Sequence, residues 1–251
     1  MRRFIIAGVF IAPVFAIVLW HWSIAGAIGV VALSHALVLY PTLRANVQWL
    51  GPVLLCFETA EREVWLTIDD GPTDDTNALL DLLDGRAVHA TFFVKGVLAE
   101  AHADRILEIV RRGHTVGNHS QSHPSATFWC LPPARIAAEI ERCHAVLGRI
   151  LNAPVRLFRA PVGTKNPAVH PVLGRLGLVL VGWTARAFDT KTNDPEKVVR
   201  RIMPEIAPGT IILLHQGRRE SLMMIARVID EVQRRGYRFV IPAVERLKTN
   251  R

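Results

Sequence analysis

The order of apolar and amphipathic segments after residue 60 is the feature that most constrains the fold of this chain. Seven short apolar runs, typical of buried strands, alternate with six helical patterns. The runs are 64–68, 90–94, 114–117, 155–159, 178–182, 210–214 and 237–241; the helical patterns are 76–84, 99–112, 133–149, 167–176, 195–206 and 219–235. Because strands separated by helices pair in parallel, this order predicts a β/α barrel or a doubly wound sheet.

Two common ligand-binding motifs of parallel α/β folds are missing from the sequence. It has neither the Gly-rich dinucleotide fingerprint nor the phosphate loop that ends in Lys-Ser/Thr. In a barrel the chemistry lies at the carboxyl ends of the strands. The polar motifs described below all fall at the carboxyl ends of predicted strands.

The N-terminal segment is unlike the rest of the chain. Residues 4–40 form a stretch of 37 residues without a formal charge. One helix of that length would measure about 55 Å, whereas the hydrocarbon core of a bilayer is ~30 Å thick. The stretch therefore predicts two membrane spans, 4–20 and 24–40, each near the lower length limit. Trp20, Trp22 and Tyr40 stand where aromatic anchors of the membrane interface are expected.

The positive charges around this segment predict its orientation. Arg2 and Arg3 precede the first span and Arg44 follows the second, while the connecting residues 21–23 contain neither Lys nor Arg. The positive-inside rule then favours a helical hairpin in the cell membrane with both ends, and the domain that follows, on the cytoplasmic side. A cleaved signal peptide is the alternative, although the chain stays hydrophobic well past a cleavage site. We expect a membrane anchor over 1–43, a connector over 44–63 and a folded domain over 64–251.

Charge and cysteine content narrow the function classes. The net charge of +8 and the pI of about 10.1 favour anionic surroundings such as acidic lipid headgroups. Nucleic acid is a weaker interpretation, because zinc-finger spacing, an aromatic RNP-type motif and dense Lys/Arg runs are all missing from the sequence. Cys56, Cys130 and Cys143 have no CxxC spacing, which argues against a disulfide framework and against a thiolate zinc site.

A pair of aspartates ends the first predicted strand. Asp69 and Asp70 are followed by Gly71 and Pro72. Successive side chains of a strand point to opposite faces, so both carboxylates can serve one site only if the backbone turns there. Gly71 permits such a turn, and Pro72 cannot continue a strand ladder. A solvated charged loop is the alternative.

Two histidines follow the third predicted strand. His119 and His123 are four positions apart on a short loop that ends at Pro124. Together with one aspartate they would form a facial set of two imidazoles and a carboxylate, which suits Zn²⁺ holding a reactive water and also suits non-haem Fe²⁺. Two surface histidines are the alternative interpretation of this spacing.

Two further polar residues follow predicted strands. Arg159 ends the fourth strand and is either a solvated strand end or a fixed cation that orients a carboxylate. His215 follows the apolar run 210–214. A lone histidine after a buried strand is more often part of the core, but its place at the same end of the presumed barrel makes it a candidate catalytic residue.

With these motifs in place, the chain resembles the NodB-like polysaccharide deacetylases, carbohydrate esterase family four. The four matching motifs are TIDDGP at 67–72, HSQSHP at 119–124, RAPVG at 159–163 and LLH at 213–215. The resemblance covers about residues 60–245 and differs in the first motif only by Ile68 in place of Phe. It implies a distorted seven-stranded β/α barrel, in agreement with the strands counted above.

The resemblance also implies a metal-dependent mechanism. Asp69 would be the general base, and Asp70, His119 and His123 would hold a divalent ion, Zn²⁺ first, with Co²⁺, Ni²⁺ or Fe²⁺ as alternatives. The implied enzyme is a hydrolase that removes an N-acyl group, acetyl or formyl, from an amino sugar of a cell-envelope glycan or lipid-linked sugar. A catalytically silent barrel that binds glycans or lipid headgroups is the alternative from another class, and an Fe²⁺ oxygenase is a third.

The remaining implied roles concern proton transfer and substrate binding. Arg159 would orient the base, His215 would be the general acid, and Leu213, Val162 and Pro161 would line the substrate pocket.

The sequence departs from the family in two places. The fourth motif, usually Asp-x-x-Asp-Trp, reads RAFDT at 186–190, so that Arg186 replaces the first aspartate while Asp189 matches the second. Val162 stands where an aromatic or hydroxyl-bearing residue is common. Neither change affects the expected metal ligands. Both bear on the pKa of His215 and on which sugar is accepted.

Overall fold

The structure is a computed structural model that describes residues 1–250. Its helices are α1 (Arg2–Trp20), α2 (Ile24–Leu43), α3 (Thr76–Asp84), α4 (Gly96–Ala101), α5 (Ala103–Arg111), α6 (Pro133–Leu151), α7 (Val169–Leu176), α8 (Pro195–Ile202) and α9 (Ser221–Arg234). Its strands are β1 (Cys56–Phe57), β2 (Glu63–Gly71), β3 (Ala90–Val94), β4 (Thr115–Asn118), β5 (Leu157–Phe158), β6 (Val179–Leu180), β7 (Ala185–Arg186), β8 (Thr210–His215), β9 (Arg238–Phe239) and β10 (Leu247–Lys248).

The strands form one curved sheet. Its central order is β8-β2-β3-β4-β5-β6, and all of these neighbours are parallel. The connector completes the curve, because Leu54 bridges to Val181 beyond β6 and β1 pairs with β8 through Cys56 and Thr210. This arrangement confirms the predicted distorted barrel.

The alternation of side chains along β2 explains how the sheet separates its two faces. Leu66 and Ile68 pack outward into the core under the helices, whereas Trp65 packs into the interior of the curved sheet. A strand has a period of two, so Thr67 and Asp69 follow Trp65 onto the inner face. The sequence period therefore brings a carboxylate to the inside of the barrel at its carboxyl end.

Several predicted boundaries differ from the structure for physical reasons. The pattern predicted as one helix over 99–112 is divided into α4 and α5 at His102, which has the non-helical φ of −133°. The pattern over 195–206 ends as an α-helix at Ile202, because Pro204 cannot donate the next helical hydrogen bond, and a 3₁₀ turn follows. The seventh predicted strand is β9, which pairs with the beginning of β2.

The two N-terminal helices form a hairpin. Ser23 caps α2 by accepting a hydrogen bond from the backbone N–H of Gly26 at 3.1 Å. Both helices are long and apolar enough to cross a membrane, with mean hydropathies of 2.3 and 1.8. Of the most apolar 18 residues in each helix, only 6% in α1 and 17% in α2 are buried within the protein, whereas the core helix of a soluble domain is mostly buried. A signal sequence near an N-terminus has the same properties.

Candidate active site

A bulge at the end of β2 brings both aspartates to one place. Asp69 is in register with Phe93 and Gly71 with Val94, so Asp70 is an extra residue in the strand. Its φ of 78° lies in the left-handed region, which turns the backbone at this point. Asp69 faces the interior, and the turn lets the carboxylate of Asp70 approach the same cavity.

Arg159 holds Asp69 from the end of β5. The guanidinium is fully buried, and its Nη1 donates to Asp69 Oδ1 at 2.8 Å and to Thr67 Oγ1 at 2.7 Å. Nε and Nη2 donate to the carbonyl oxygens of Val181 and Gly182 at 3.3 and 2.8 Å. A buried ion pair is stable only when its remaining donors are satisfied, and here every nitrogen has a partner. Asp69 is thereby kept in one orientation.

The histidine loop after β4 is held by polar side chains. The side chain of Asn118 accepts from the N–H of Ser120 at 2.9 Å and donates to the carbonyl of Ile140 at 2.9 Å. Glu139 on α6 accepts from both the N–H and the hydroxyl of Ser122, at 2.8 and 2.7 Å. His123 has a φ of 55°, which bends the loop so that its ring lies 4.6 Å from the ring of His119 between centroids.

Asp70, His119 and His123 form a candidate metal centre. Their potential ligand atoms lie within 4.8 Å of one another. His119 Nδ1 lies 2.9 Å from the carbonyl oxygen of Arg159, which can only accept, so Nδ1 carries the proton and Nε2 keeps its lone pair. Asp70 Oδ1 is buried and lies 2.9 Å from the ammonium of Lys95, which donates to it in an ion pair. The donor set fits a divalent ion such as Zn²⁺.

Burial and neighbouring charges give these groups the protonation states that metal ligands need. Burial lowers the pKa of His119 and lowers that of His123 to about 4. Burial raises the pKa of Asp70, but the charges of His119 and Lys95 outweigh it and bring the value to about 2. At neutral pH the imidazoles are therefore neutral and the carboxylate is ionised.

The opposite side of the cavity carries His215, at the end of β8. Its Nδ1 lies 3.0 Å from Asp189 Oδ1, and its backbone N–H donates to Asp189 Oδ2 at 2.8 Å. Burial lowers the pKa of His215, but the hydrogen bond and the charge of Asp189 raise it above its ordinary value. The second aspartate of the fourth motif thus orients the imidazole and favours its protonated form.

Arg186 occupies the position of the missing first aspartate. Its guanidinium carbon lies 5.1 Å from the ring of Trp183 and 4.6 Å from the ring of Phe188. Burial lowers its pKa, and its Nε is buried without a hydrogen-bond partner among residues 1–250. The guanidinium is therefore stabilised by cation–π contacts with two aromatic rings.

A cavity of about 90 Å³ lies between these groups. It is lined by Asp69, Asp70, His119, His123, Val162, Gly163, Trp183, Arg186, Thr190, Leu213 and His215. Arg159 lies behind Asp69, and Pro161 is buried one position before Val162 without lining the cavity. The structure thus brings together all the predicted site residues except Pro161, which only supports its loop.

Three residues near the cavity were missed by sequence reasoning. Trp183 and Thr190 line the cavity, and Lys95 pairs with Asp70. Lys95 and Trp183 directly follow the second and fifth predicted strands, at 94 and 182. The rule that a barrel site lies at the carboxyl ends of strands could have found these two. Thr190 is on a 3₁₀ turn and does not follow a predicted strand, but it is the last residue of the fourth motif, which could have pointed to it.

Comparison with known proteins identifies the family. The polysaccharide deacetylase family model matches residues 58–181. A chitooligosaccharide deacetylase of Bradyrhizobium sp. (strain ANU 289) is 31% identical over 192 residues, which is 70% of this chain and 87% of the relative. The chain belongs to the polysaccharide deacetylase family. This membership confirms the predicted family and the predicted enzyme class, a hydrolase of the carbohydrate N-deacetylase type.

Two other members extend the comparison. A peptidoglycan-N-acetylglucosamine deacetylase of Bacillus cereus is 28% identical over 204 residues, 79% of this chain and 94% of the relative. The solved structure of a family 4 carbohydrate esterase from Streptomyces lividans in complex with acetate superposes with a TM-score of 0.67 at 28% identity, over 72% of this chain and 93% of that one. Because the family-model match ends at residue 181, it does not reach Asp189 and His215.

Proposed function

We propose that this protein is a membrane-attached, metal-dependent hydrolase that removes an N-acyl group, acetyl or formyl, from an amino sugar of a cell-envelope glycan or lipid-linked sugar. The observation that carries the proposal is the convergence of Asp69, the Asp70/His119/His123 set and His215 on one cavity. The relatives that act on N-acetylglucosamine-containing glycans support the choice of an amino sugar. The family match favours hydrolysis over the Fe²⁺ oxygenase alternative.

The proposed mechanism gives each residue one task. A divalent ion held by Asp70, His119 and His123 would act as a Lewis acid on the acyl carbonyl and on a water molecule. Asp69 is not among these ligands; held by Arg159, it takes a proton from the water as this attacks the carbonyl carbon. The carbon–nitrogen bond then breaks. His215 donates a proton to the departing amine, which would otherwise be too basic to leave.

The size and lining of the cavity suit a small acyl group. Leu213 is 1% exposed and presents an apolar side chain, which would contact the methyl of an acetyl group. Val162, with a φ of 49°, stands at the rim, where its backbone N–H is a candidate donor to the developing oxyanion. A cavity of about 90 Å³ leaves the sugar ring outside.

The hairpin of α1 and α2 supports attachment to the cell membrane. Arg2, Arg3 and Arg44 flank its ends, and residues 21–23 contain no Lys or Arg. The positive-inside rule then places the catalytic domain on the cytoplasmic side in this proposal.

The test is acetate release from N-acetylglucosamine oligosaccharides by the full-length protein in detergent micelles. Chelation should abolish release and added Zn²⁺ should restore it. Asp69→Asn should lower kcat by about 10³-fold, since it removes the proton acceptor, whereas Asp74→Asn, at an exposed carboxylate, should not. Release without metal, or full activity of Asp69→Asn, would contradict the mechanism.

The presence of Arg186 in the cavity is the one observation that favours a catalytically silent glycan-binding barrel. A barrel of that kind has no need of the Asp69–Arg159 pair or of the Asp189–His215 pair, and this chain keeps both. Binding of the same oligosaccharides without acetate release, in the presence of Zn²⁺, would favour the silent barrel.

A further inference from the structure

A buried lysine joins the membrane hairpin to the loop that follows β5. Lys165 is fully buried, and its ammonium donates to the carbonyl oxygens of Arg44 and Ala45 at 2.7 and 2.9 Å. Its backbone N–H donates to the carbonyl of Thr42 at 3.0 Å. These carbonyls lie at the C-terminal end of α2, where helix carbonyls lack intrahelical partners and a cation is favoured. The end of the hairpin and this loop therefore form one unit.

The same junction reaches the catalytic cavity. A Cβ atom on Gly163 would lie 2.6 Å from the Cβ of Ala45 and 2.4 Å from the ring of Trp183, so this glycine packs closely between them. The side-chain amide of Asn46 donates to the carbonyl of Trp183 at 3.0 Å. Gly163 and Trp183 both line the cavity. The residues that directly follow α2 thus support its wall, which brings the site close to the end of a candidate membrane span.

A groove of about 290 Å³ lies between α2 and the catalytic domain. Its lining residues are Val38, Leu39, Thr42, Trp129, Pro133, Asn166, Pro167 and Ala168. Trp129 belongs to the loop that carries His123, and Asn166 belongs to the loop that carries Val162. The groove therefore runs beside the two loops that border the catalytic cavity, and α2 forms its other side.

Position and lining indicate what the groove binds. It lies at the last turns of α2, where the apolar span ends and hydrocarbon meets headgroups in a bilayer. At the same end the rings of Tyr40 and Trp49 are 5.3 Å apart between centroids, a pairing typical of the membrane interface. The hydroxyl of Thr42 is buried without a hydrogen-bond partner among residues 1–250, so it is a free donor beside an apolar surface.

We infer that this groove binds the first segment of the hydrocarbon chain of a lipid-linked amino sugar, next to the phosphate that joins chain and sugar. The inference rests on the proposed function and names the substrate class of the same site. A water-soluble oligosaccharide would leave the apolar side chains of the groove in water. A polyprenyl-type chain covers them, and its sugar extends toward Val162 and the cavity.

The test compares two substrates that differ only in the chain. One is N-acetylglucosaminyl phosphate esterified with a long polyprenyl alcohol, and the other is its methyl ester. Both are given to the full-length, Zn²⁺-loaded protein in the same detergent micelles, and acetate release is measured. We expect kcat/KM to be at least about tenfold higher for the polyprenyl ester, because burial of two methylene groups suffices for that factor.

Variants separate the groove from simple enrichment of the substrate in micelles. Val38→Trp fills the groove from α2 and should reduce the preference to about threefold or less, whereas Leu33→Trp, at an exposed position of α2, should leave the preference unchanged. Ala168→Phe fills the groove from the opposite side and replaces Val38→Trp if that variant does not fold.

The outcomes separate a failure of the inference about the groove from a failure of the proposed function. Equal kcat/KM values for both esters, with clear turnover, would overturn the inference and leave the proposed function standing. A preference retained in both Val38→Trp and Ala168→Phe would also overturn it, because the preference would then arise from the micelle. No turnover of either ester by a loaded wild-type protein that releases acetate from N-acetylglucosamine oligosaccharides would overturn the inference alone. No release from any of these substrates would overturn the proposed function as well.

Discussion

On one side of the catalytic cavity, Asp69 at the end of β2 is held by the buried guanidinium of Arg159; on the other side, the imidazole of His215 is hydrogen-bonded to Asp189 alone. We call the first side the ligand wall (Asp69, Asp70, His119, His123 and Arg159) and the second side the acid wall (Arg186, Asp189 and His215). Arg159 alone donates four hydrogen bonds on the ligand wall. Arg186 on the acid wall has a buried nitrogen without a partner.

This difference shows where stability and catalysis depend on the same contacts. Residues of the ligand wall close the inside of the barrel, so their loss leaves buried charges uncompensated. Arg186 and Asp189 of the acid wall lie on short segments around β7, where an aromatic pocket formed by Trp183 and Phe188 surrounds Arg186. We therefore expect changes in the ligand wall to reduce stability and activity together, and changes in the acid wall to alter mainly the pH dependence.

The largest effect is expected for Arg159→Met. The change leaves the Asp69 carboxylate buried without its cation, which costs about 3–5 kcal/mol in a buried pair. For a domain of this size the melting temperature should fall on the order of 10 °C, measured by thermal unfolding in micelles. Arg156→Met removes an exposed ion pair with Glu245 and is the matched control, with a change of less than about 1 kcal/mol. A similar small change for Arg159→Met would contradict the contrast between the walls.

An intermediate effect is expected for Asp189→Asn. The hydrogen bond and charge of Asp189 raise the pKa of His215, so their loss leaves burial to lower it. The protonated acid is present below this pKa and is lost as pH rises through it, so the basic limb of kcat should move to lower pH. Each unit of that shift reduces kcat about tenfold on the basic side. The measurement is a pH profile of kcat, with Asp104→Asn at an exposed carboxylate as control. An unmoved basic limb would remove His215 as the acid.

The ligand wall was largely predictable from the sequence, because periodicity and short-range turn chemistry determine it. The alternation in 64–68 places Asp69 inside, and the expected turn is present, although it lies at Asp70 itself, with a φ of 78°, and not at Gly71. The His-x-x-x-His spacing places both imidazoles on one loop. These are local features, so a single sequence contains enough information to predict them.

The acid wall and the hairpin junction were less predictable because their contacts are distant in sequence or involve the backbone. β1, β7 and β10 have two residues each, too few to show a period of two. The partners of Lys165 are carbonyl oxygens of Arg44 and Ala45, which no side-chain pattern reveals. Likewise, the connector closes the sheet through a backbone bridge at Leu54, and no side-chain pattern predicts that bridge.

The smallest effect, and the sharpest test of the acid wall, is expected for Arg186→Asp, which restores the residue type usual in the family at this position. The change replaces a cation by an anion in the cavity that His215 lines, and an anion nearby favours the protonated imidazole. The basic limb of kcat should therefore move to higher pH by about one unit or less, opposite to the shift in Asp189→Asn. Arg200→Asp makes the same charge change at an exposed site and should leave the basic limb in place.

If Arg186→Asp and Arg200→Asp shift the basic limb equally, the net charge of the protein sets the pKa of His215. If only Arg186→Asp shifts the limb, the effect on the pKa of His215 is local. The cation held in the aromatic pocket around residue 186 then gives His215 a lower pKa than the aspartate usual in the family would give it.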